Sequence, residues 1–299
     1  AGGHNILLYG PPGSGKTMLA SRLPSIMPLL EQVQSVEVAN IHSLSGHEYK
    51  EWQTPPFRCP HHTASSVALV GGGGQPRPGE VSLAHHGVLF LDELPEFQRH
   101  VLEVLREPLE SGEIRISRAA AQLTFPANFQ LVAAMNPCPC GYLSLGSTPP
   151  SGKSCRCTQE QVQRYRQKIS GPLLDRIDLH ISVGPVKVKE LMRNKHAQNN
   201  NESSKAIRQR VIQAHQRQLE RQGTKNASLN TKQIEEYCVL GKPEMQLLEL
   251  ALQNLGLSAR AYHRIIKVGR TIADLEGSSL IKENHLSEAL SLRSFDRSK

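Results

Sequence analysis

Residues Gly10, Pro11, Pro12, Gly13, Ser14, Gly15, Lys16 and Thr17 have the types and spacing of a phosphate-binding loop. The glycines let backbone N–H groups close around phosphate oxygens, Lys16 supplies a point charge to the terminal phosphates, and the Thr17 hydroxyl can ligate Mg²⁺. The flanks agree, because an apolar run leads into the loop and helical spacing leaves it. ATP or GTP binding follows. A second apolar run, GVLFLDEL, ends in Asp92 and Glu93. A carboxylate at the C-terminal end of a buried strand lies at the crevice edge where Mg²⁺ sits, so Asp92 is expected to bind the metal and nucleotide. Glu93 beside it can polarise an attacking water, which points to hydrolysis. A third run, QLVAAMN, ends in Asn136, whose amide can orient that water or touch the γ-phosphate, although Asn is common at strand ends.

Two arginines can complete such a site. Arg176 stands in GPLLDRIDL, and Arg260 opens the helical stretch LSARAYHR. A guanidinium reaching a γ-phosphate stabilises the transferring group. On spacing alone the simpler accounts are local ion pairs of Arg176 with Asp175 and Asp178, and a solvated helix face for Arg260.

Six cysteines occur, at 59, 138, 140, 155, 157 and 238. Cys138-Pro-Cys140 and Cys155-Arg-Cys157 form two close pairs, which in a cytosolic chain favour a tetrahedral thiolate site for structural Zn²⁺ over disulfides, with free thiols as the alternative. His61 and His62 follow Cys59 and could be ligands, but as adjacent histidines in a Pro-flanked loop they read as exposed.

These residues need a parallel sheet to bring them together. NILLY (5–9), VLFLDE (88–93), QLVAAMN (130–136) and DLHISV (178–183) read as buried strands, separated by stretches of helical spacing such as KTMLASRLPSIMPLL and FQRHVLEVLREPLE. Strands alternating with helices imply an α/β fold, a parallel sheet with helices on both faces. The polar tract KHAQNNNESSK breaks the pattern, and only helical spacing follows it. The expected organisation is an α/β nucleotide-binding domain over 1–188, a linker or exposed loop over 189–205, and a smaller all-helical domain over 206–299.

Composition bounds the rest. Of 299 residues, 38% are apolar and 21% charged, which is globular composition rather than disorder. No apolar run is long enough to span a bilayer, and no signal peptide is present at the start, so a soluble, cytoplasmic protein is expected. The chain opens with Ala and reaches an apolar run within five residues, so a preceding natural segment is also expected. Residues 187–232 hold eleven Lys or Arg against three Glu, which accounts for the whole net charge of +8. Such a block suits a polyanion such as DNA, or a solvated helix face beside a linker. In SGEIRISRAAAQLTF (111–125), Ile114 and Ile116 alternate with Glu113, Arg115 and Ser117, and QLTF repeats the alternation, as a β-hairpin does. Arg118 falls near its tip, where no Gly or Asn-Gly marks the turn.

In order and spacing, these elements resemble an AAA+ ATPase. More closely, the stretches AGGHNILLYGPPGSGKTMLASRLPSIMP, RCPHHTASSVALVGGGGQPRPGEVSLAHHGVLFLDELPEF, MNPCPCG, SGPLLDRIDLHI and LSARAYHRIIKVGRTIADL together resemble the magnesium-chelatase-like ComM/YifB family over nearly the whole chain. The resemblance implies an AAA+ P-loop domain with β-hairpin insertions and a helical lid, in a family whose members usually carry a Lon-like domain in front. It implies a homo-oligomer, a hexameric ring, with Arg176 as an arginine finger acting in trans and Arg260 as a sensor acting in cis. It also implies an ATP-driven DNA helicase or translocase promoting branch migration during homologous recombination in natural transformation. A protein-remodelling motor like the chelatase motor subunit, and a nucleotide-dependent assembly switch, are the alternatives. The residues SSVALVGGGGQPRPGEVSLAHH would form one inserted hairpin and SGEIRISRAAAQLTF a second. In hexameric relatives such as the replicative MCM helicases, both project into the central channel, where a basic tip touches single-stranded or branched DNA; here that residue would be Arg118, with Arg115 the second candidate.

Overall fold

The computed structural model describes residues 1–46, 48–73, 76–118, 121–143, 154–185, 202–255 and 258–293. Nine strands occur among them: β1 (Ile6–Tyr9), β2 (Phe57–Arg58), β3 (Gly71–Gly72), β4 (Arg77–Pro78), β5 (Val88–Leu91), β6 (Glu113–Arg118), β7 (Ala121–Pro126), β8 (Gln130–Met135) and β9 (Leu179–Ser182). Five of them build one sheet in the order β2-β5-β8-β1-β9, with every pairing parallel. Because the chain returns to the same end after each strand, Gly10, Asp92 and Asn136, which follow β1, β5 and β8, emerge on one edge.

Side chains alternate along a strand, and here both faces are covered. Leu7, Leu89, Leu91, Leu131 and Met135 pack on one face with helical Leu102 and Leu173. Leu8, Val88, Phe90, Val132 and Ala134 pack on the other with Ala20. This is the expected AAA+ architecture, down to the strand runs. Sequence periodicity missed β2, whose two residues are too few to show a period. It also overran two helices. The helix after the phosphate loop stops at Lys16–Arg22 and passes into a 3₁₀ turn at Leu23–Ile26, because Pro24 removes a backbone donor. The stretch after Glu93 breaks into short pieces, Arg99–Glu103, Val104–Arg106 and Pro108–Ser111, for the same reason at Pro108.

Two insertions leave the sheet. The first is a short helix, Ser66–Val70, followed by the antiparallel pair β3–β4. The second is the β6–β7 hairpin, with Ile114, Ile116 and Phe125 buried in the main core and Arg115 facing out.

Helices Ser204–Gln222, Thr231–Tyr237, Lys242–Leu255, Ala259–Glu276 and Glu283–Ser291 form the second region around Ile234, Leu248, Ile265, Ile266 and Leu286. Ser203 and Ser258 cap two of them by accepting from Ala206 N–H and Ala261 N–H. This region docks at the start of β1 and β9. Buried Asp178 accepts from Asn5 N–H at 3.2 Å, meets His4 Nδ1 at 3.3 Å and pairs with Arg264. His4 Nε2 in turn meets Thr271 Oγ1 at 2.7 Å. The proposed linker falls mostly on 186–201, outside the described residues.

Candidate functional site

At the shared strand edge the phosphate loop, Asp92, Glu93 and Asn136 line an open cleft of about 470 Å³. Gly10 is required at its root, since a Cβ there would lie 2.1 Å from the Val183 carbonyl oxygen. Lys16 Nζ donates to the carbonyls of Gly10 at 2.8 Å and Pro11 at 3.0 Å, and to Asn136 Oδ1 at 3.2 Å. Burial pulls the Lys16 pKa below its ordinary value, and Asp92 opposes the shift. The Thr17 hydroxyl donates to Asp92 Oδ2 at 2.7 Å. A hydroxyl and a carboxylate at this spacing are oxygen donors of the kind Mg²⁺ accepts alongside phosphate oxygens.

Glu93 has φ 52° and ψ 46°, a left-handed conformation that a residue with a Cβ adopts at a cost. Its N–H donates to Asp92 Oδ1 at 2.9 Å, which holds the turn. Its carboxylate lies 3.4 Å from His62 Nδ1. His62, which the sequence reads as exposed, thus sits half-buried against Glu93. The signal was its position, four residues after the strand adjoining β5, and it becomes visible only once β2 is known to pair there. Tyr165 was also missed. The Asn136 N–H points at its buried hydroxyl, whose pKa burial pushes up to about 12.

Neither arginine joins this cleft. Arg176 is buried beside a separate cleft bounded by Gly71, Glu107, Glu110 and Ile116, at the bases of both insertions. It donates to the Pro172 carbonyl at 2.6 Å and pairs with Glu110, not with Asp175 or Asp178; the latter is committed to His4 and Arg264. Burial, first, lowers the Arg176 pKa, and the charges of Arg106, Arg260 and Arg264 act in the same direction. Arg260, exposed at the start of its helix, thus lies within electrostatic reach of Arg176 rather than along its own phosphate loop.

In the hairpin, Arg115 is 62% exposed and 3.7 Å from Glu113. Arg118 faces Ala121 in the last pair of the ladder, joined through residues 119 and 120; its side chain and those two residues lie outside the described residues. The basic segment divides. Arg217 and Arg221 bind the Asp274 carbonyl and carboxylate and so hold the helices together, and Lys225 is half-buried. Lys187, Lys189, Arg193 and Lys195 lie outside the described residues.

Among the described residues, two clusters could hold a metal by proximity. The four paired cysteines converge, with all their sulfurs within 4.8 Å of one another. Glu37, His85 and His86 also converge. There, however, His85 Nδ1 accepts from the Asn128 N–H at 3.0 Å, which puts the ring proton on Nε2, the atom facing Glu37. That nitrogen donates and offers no lone pair to a cation. Among the described residues no helix is long and apolar enough to cross a membrane.

Two family models match the chain: that of magnesium chelatase subunit ChlI over residues 1–191 and that of its C-terminal part over 201–293. The chain is 52% identical to the uncharacterized protein YifB of Salmonella typhimurium and 51% identical to the competence protein ComM of Haemophilus influenzae, each over 99% of this chain and 57% of the relative. It is 26% identical over 152 residues to the magnesium-chelatase 38 kDa subunit of Cereibacter sphaeroides, covering 44% of this chain and 45% of that protein. The chain thus spans 57% of the length of its YifB and ComM relatives.

Proposed function

The chain belongs to the magnesium chelatase ChlI family of AAA+ proteins, on its YifB/ComM branch, and on that premise we propose that it is an ATP-hydrolysing motor that assembles as a hexameric ring and moves along DNA. One observation carries the assembly. The phosphate loop, Asp92, Glu93 and Asn136 share one cleft, while Arg176 and Arg260 share another face of the same chain. Positive groups that do not line their own chain's cleft can complete a site across a subunit boundary, so on this reading both arginines act in trans on a neighbour's γ-phosphate.

Within the cleft, the loop N–H groups and Lys16 bind the phosphates, and Asn136 holds Lys16 and the attacking water in place. Thr17 and Asp92 hold Mg²⁺, which when bound offsets charge on the phosphate oxygens. Glu93 accepts the water's proton, and His62 fixes its carboxylate. The trans guanidinium groups stabilise charge on the γ-phosphoryl oxygens.

DNA is the proposed track because the hairpin carries Arg115 and has Arg118 in its last pair, and because a competence protein stands at 51% identity. Arg118, with Arg115 behind it, would hold backbone phosphates without reading bases. On this reading the protein works in the cytoplasm and promotes branch migration of recombining strands during natural transformation. The test is the ATPase rate with and without single-stranded and forked DNA, in the wild type and in Glu93→Gln. DNA stimulation in the wild type and loss of turnover in the variant are expected. Hydrolysis indifferent to DNA would instead favour a motor that remodels proteins, and no hydrolysis at all would favour a nucleotide switch.

A further inference from the structure

We propose that Cys138, Cys140, Cys155 and Cys157 bind one Zn²⁺ ion, and that this centre braces the wall of the nucleotide cleft. The metal assignment rests on sulfur geometry alone, and only its effect on nucleotide rests on the function proposed above. A tetrahedral Zn²⁺ with Zn–S bonds of about 2.3 Å sets its sulfurs about 3.8 Å apart. Here Cys138 and Cys140 sulfurs are 3.4 Å apart, Cys138 and Cys155 3.7 Å, and Cys140 and Cys155 3.6 Å. A disulfide needs about 2.05 Å, so these spacings are those of ligands around one ion rather than of bonded pairs. Iron–sulfur clusters spread their cysteines wider than a single ion does, whereas all four sulfurs here fall within 4.8 Å. Among single ions, four thiolates select Zn²⁺ over the hard cations.

The backbone around the cluster is arranged for thiolates. The N–H of Cys157 points at the Cys155 sulfur at 3.4 Å, the N–H groups of Tyr142 and Arg156 point at Cys140, and that of Cys140 points at Cys157. Such donors offset negative charge gathered on sulfur, as hydrogen bonds to metal ligands do elsewhere.

Its place in the fold gives the centre a role. Cys138 comes two residues after Asn136, and Cys157 precedes the cap of the helix Gln159–Arg166, which carries Tyr165 to the Asn136 N–H. Between the first cysteine pair and that helix, Gly141 packs so tightly that a Cβ would lie 2.6 Å from Pro12 of the phosphate loop. One ion therefore ties the phosphate loop, Asn136 and the segment leading to Arg176 into one body. None of the four cysteines lines the nucleotide cleft, so the centre positions and does not catalyse.

The test is metal analysis of the untagged 299-residue chain by mass spectrometry, without nucleotide or DNA. One zinc per chain is expected, lost in Cys138→Ser and Cys155→Ser and kept in Cys59→Ser and Cys238→Ser. If the serine variants fail to fold, the wild type is refolded with Co²⁺. The intense visible bands of a tetrahedral tetrathiolate centre then support the site, and weak octahedral bands or no uptake overturn it. Substoichiometric zinc that all four variants retain equally, or iron in its place, also overturns the proposal. Removing the zinc by chelation should weaken binding of a fluorescent ATP analogue about tenfold, while circular dichroism still reports a folded chain; unchanged affinity would sink the bracing role and leave the metal content to be judged by itself.

Discussion

If Arg176 completes the neighbour's nucleotide site, inactive variants should rescue each other. Arg176→Ala keeps its phosphate loop but offers no guanidinium, and Lys16→Ala keeps Arg176 but binds phosphate poorly. Each alone should turn over ATP about a thousandfold or more slowly, the usual worth of such a group. In an equal mixture that exchanges subunits freely, a boundary works when an Arg176→Ala loop faces a Lys16→Ala subunit. Each condition holds for about half of the subunits, so about one quarter of boundaries recover and the mixture regains about a quarter of the wild-type rate. The assay is steady-state phosphate release from the mixture, with ring exchange checked by native mass spectrometry. The same mixture with Arg260→Ala in place of Arg176→Ala separates the two roles that residue could have. A trans Arg260 gives recovery of the same size, because the Lys16→Ala neighbour supplies it. A cis Arg260 gives none, because every chain with an intact loop lacks its own arginine. Mixed rings with no recovery in either experiment would refute the two-face geometry.

Three further outcomes are expected. Asp178→Asn should cost about 3 kcal/mol at neutral pH by urea denaturation, because Arg264 loses its buried partner. Burial alone would raise the Asp178 pKa, but His4 and Arg264 hold it below the ordinary range, so its stabilisation is present above about pH 4 and lost as pH falls through the folded value; the variant should flatten that acid limb. His85 acts in a separate window: burial, with the charge of His86, lowers its pKa to about 4, so stability should decline as pH falls from about 6.5 to 4, and His85→Gln should remove that decline in thermal melts. Gly141→Ala must place a Cβ against Pro12 at φ 82°, and should cost about 1–3 kcal/mol of stability and weaken ATP-analogue binding, read by calorimetry.

Much of the nucleotide site is legible in the amino-acid sequence. The phosphate loop, Asp92 and Asn136 each end an apolar run, and parallel strands of similar length bring such ends to one edge without further instruction. Ile114 and Ile116 alternate with Glu113 and Arg115, which is enough to give the hairpin its buried and open faces. His62 is not legible, because its partner Glu93 is thirty-one residues away and the two meet only through a two-residue strand. Arg176 reads naturally with its sequence neighbours Asp175 and Asp178, yet its carboxylate partner is Glu110, on the element that leads into the hairpin.

The sequence by itself determined which chemical groups exist and which strand ends carry them, since hydrophobic period and loop chemistry are local properties. Tertiary structure decided which groups face each other. Docking of the helical region through Asp178, His4 and Arg264 sets Arg260 within electrostatic reach of Arg176 and outside the lining of its own phosphate-loop cleft. Convergence of the two cysteine pairs likewise depends on how the chain returns to Asn136 after residues 144–153, which lie outside the described residues. Contacts between residues far apart in the chain follow from packing of whole elements, and no local pattern encodes them.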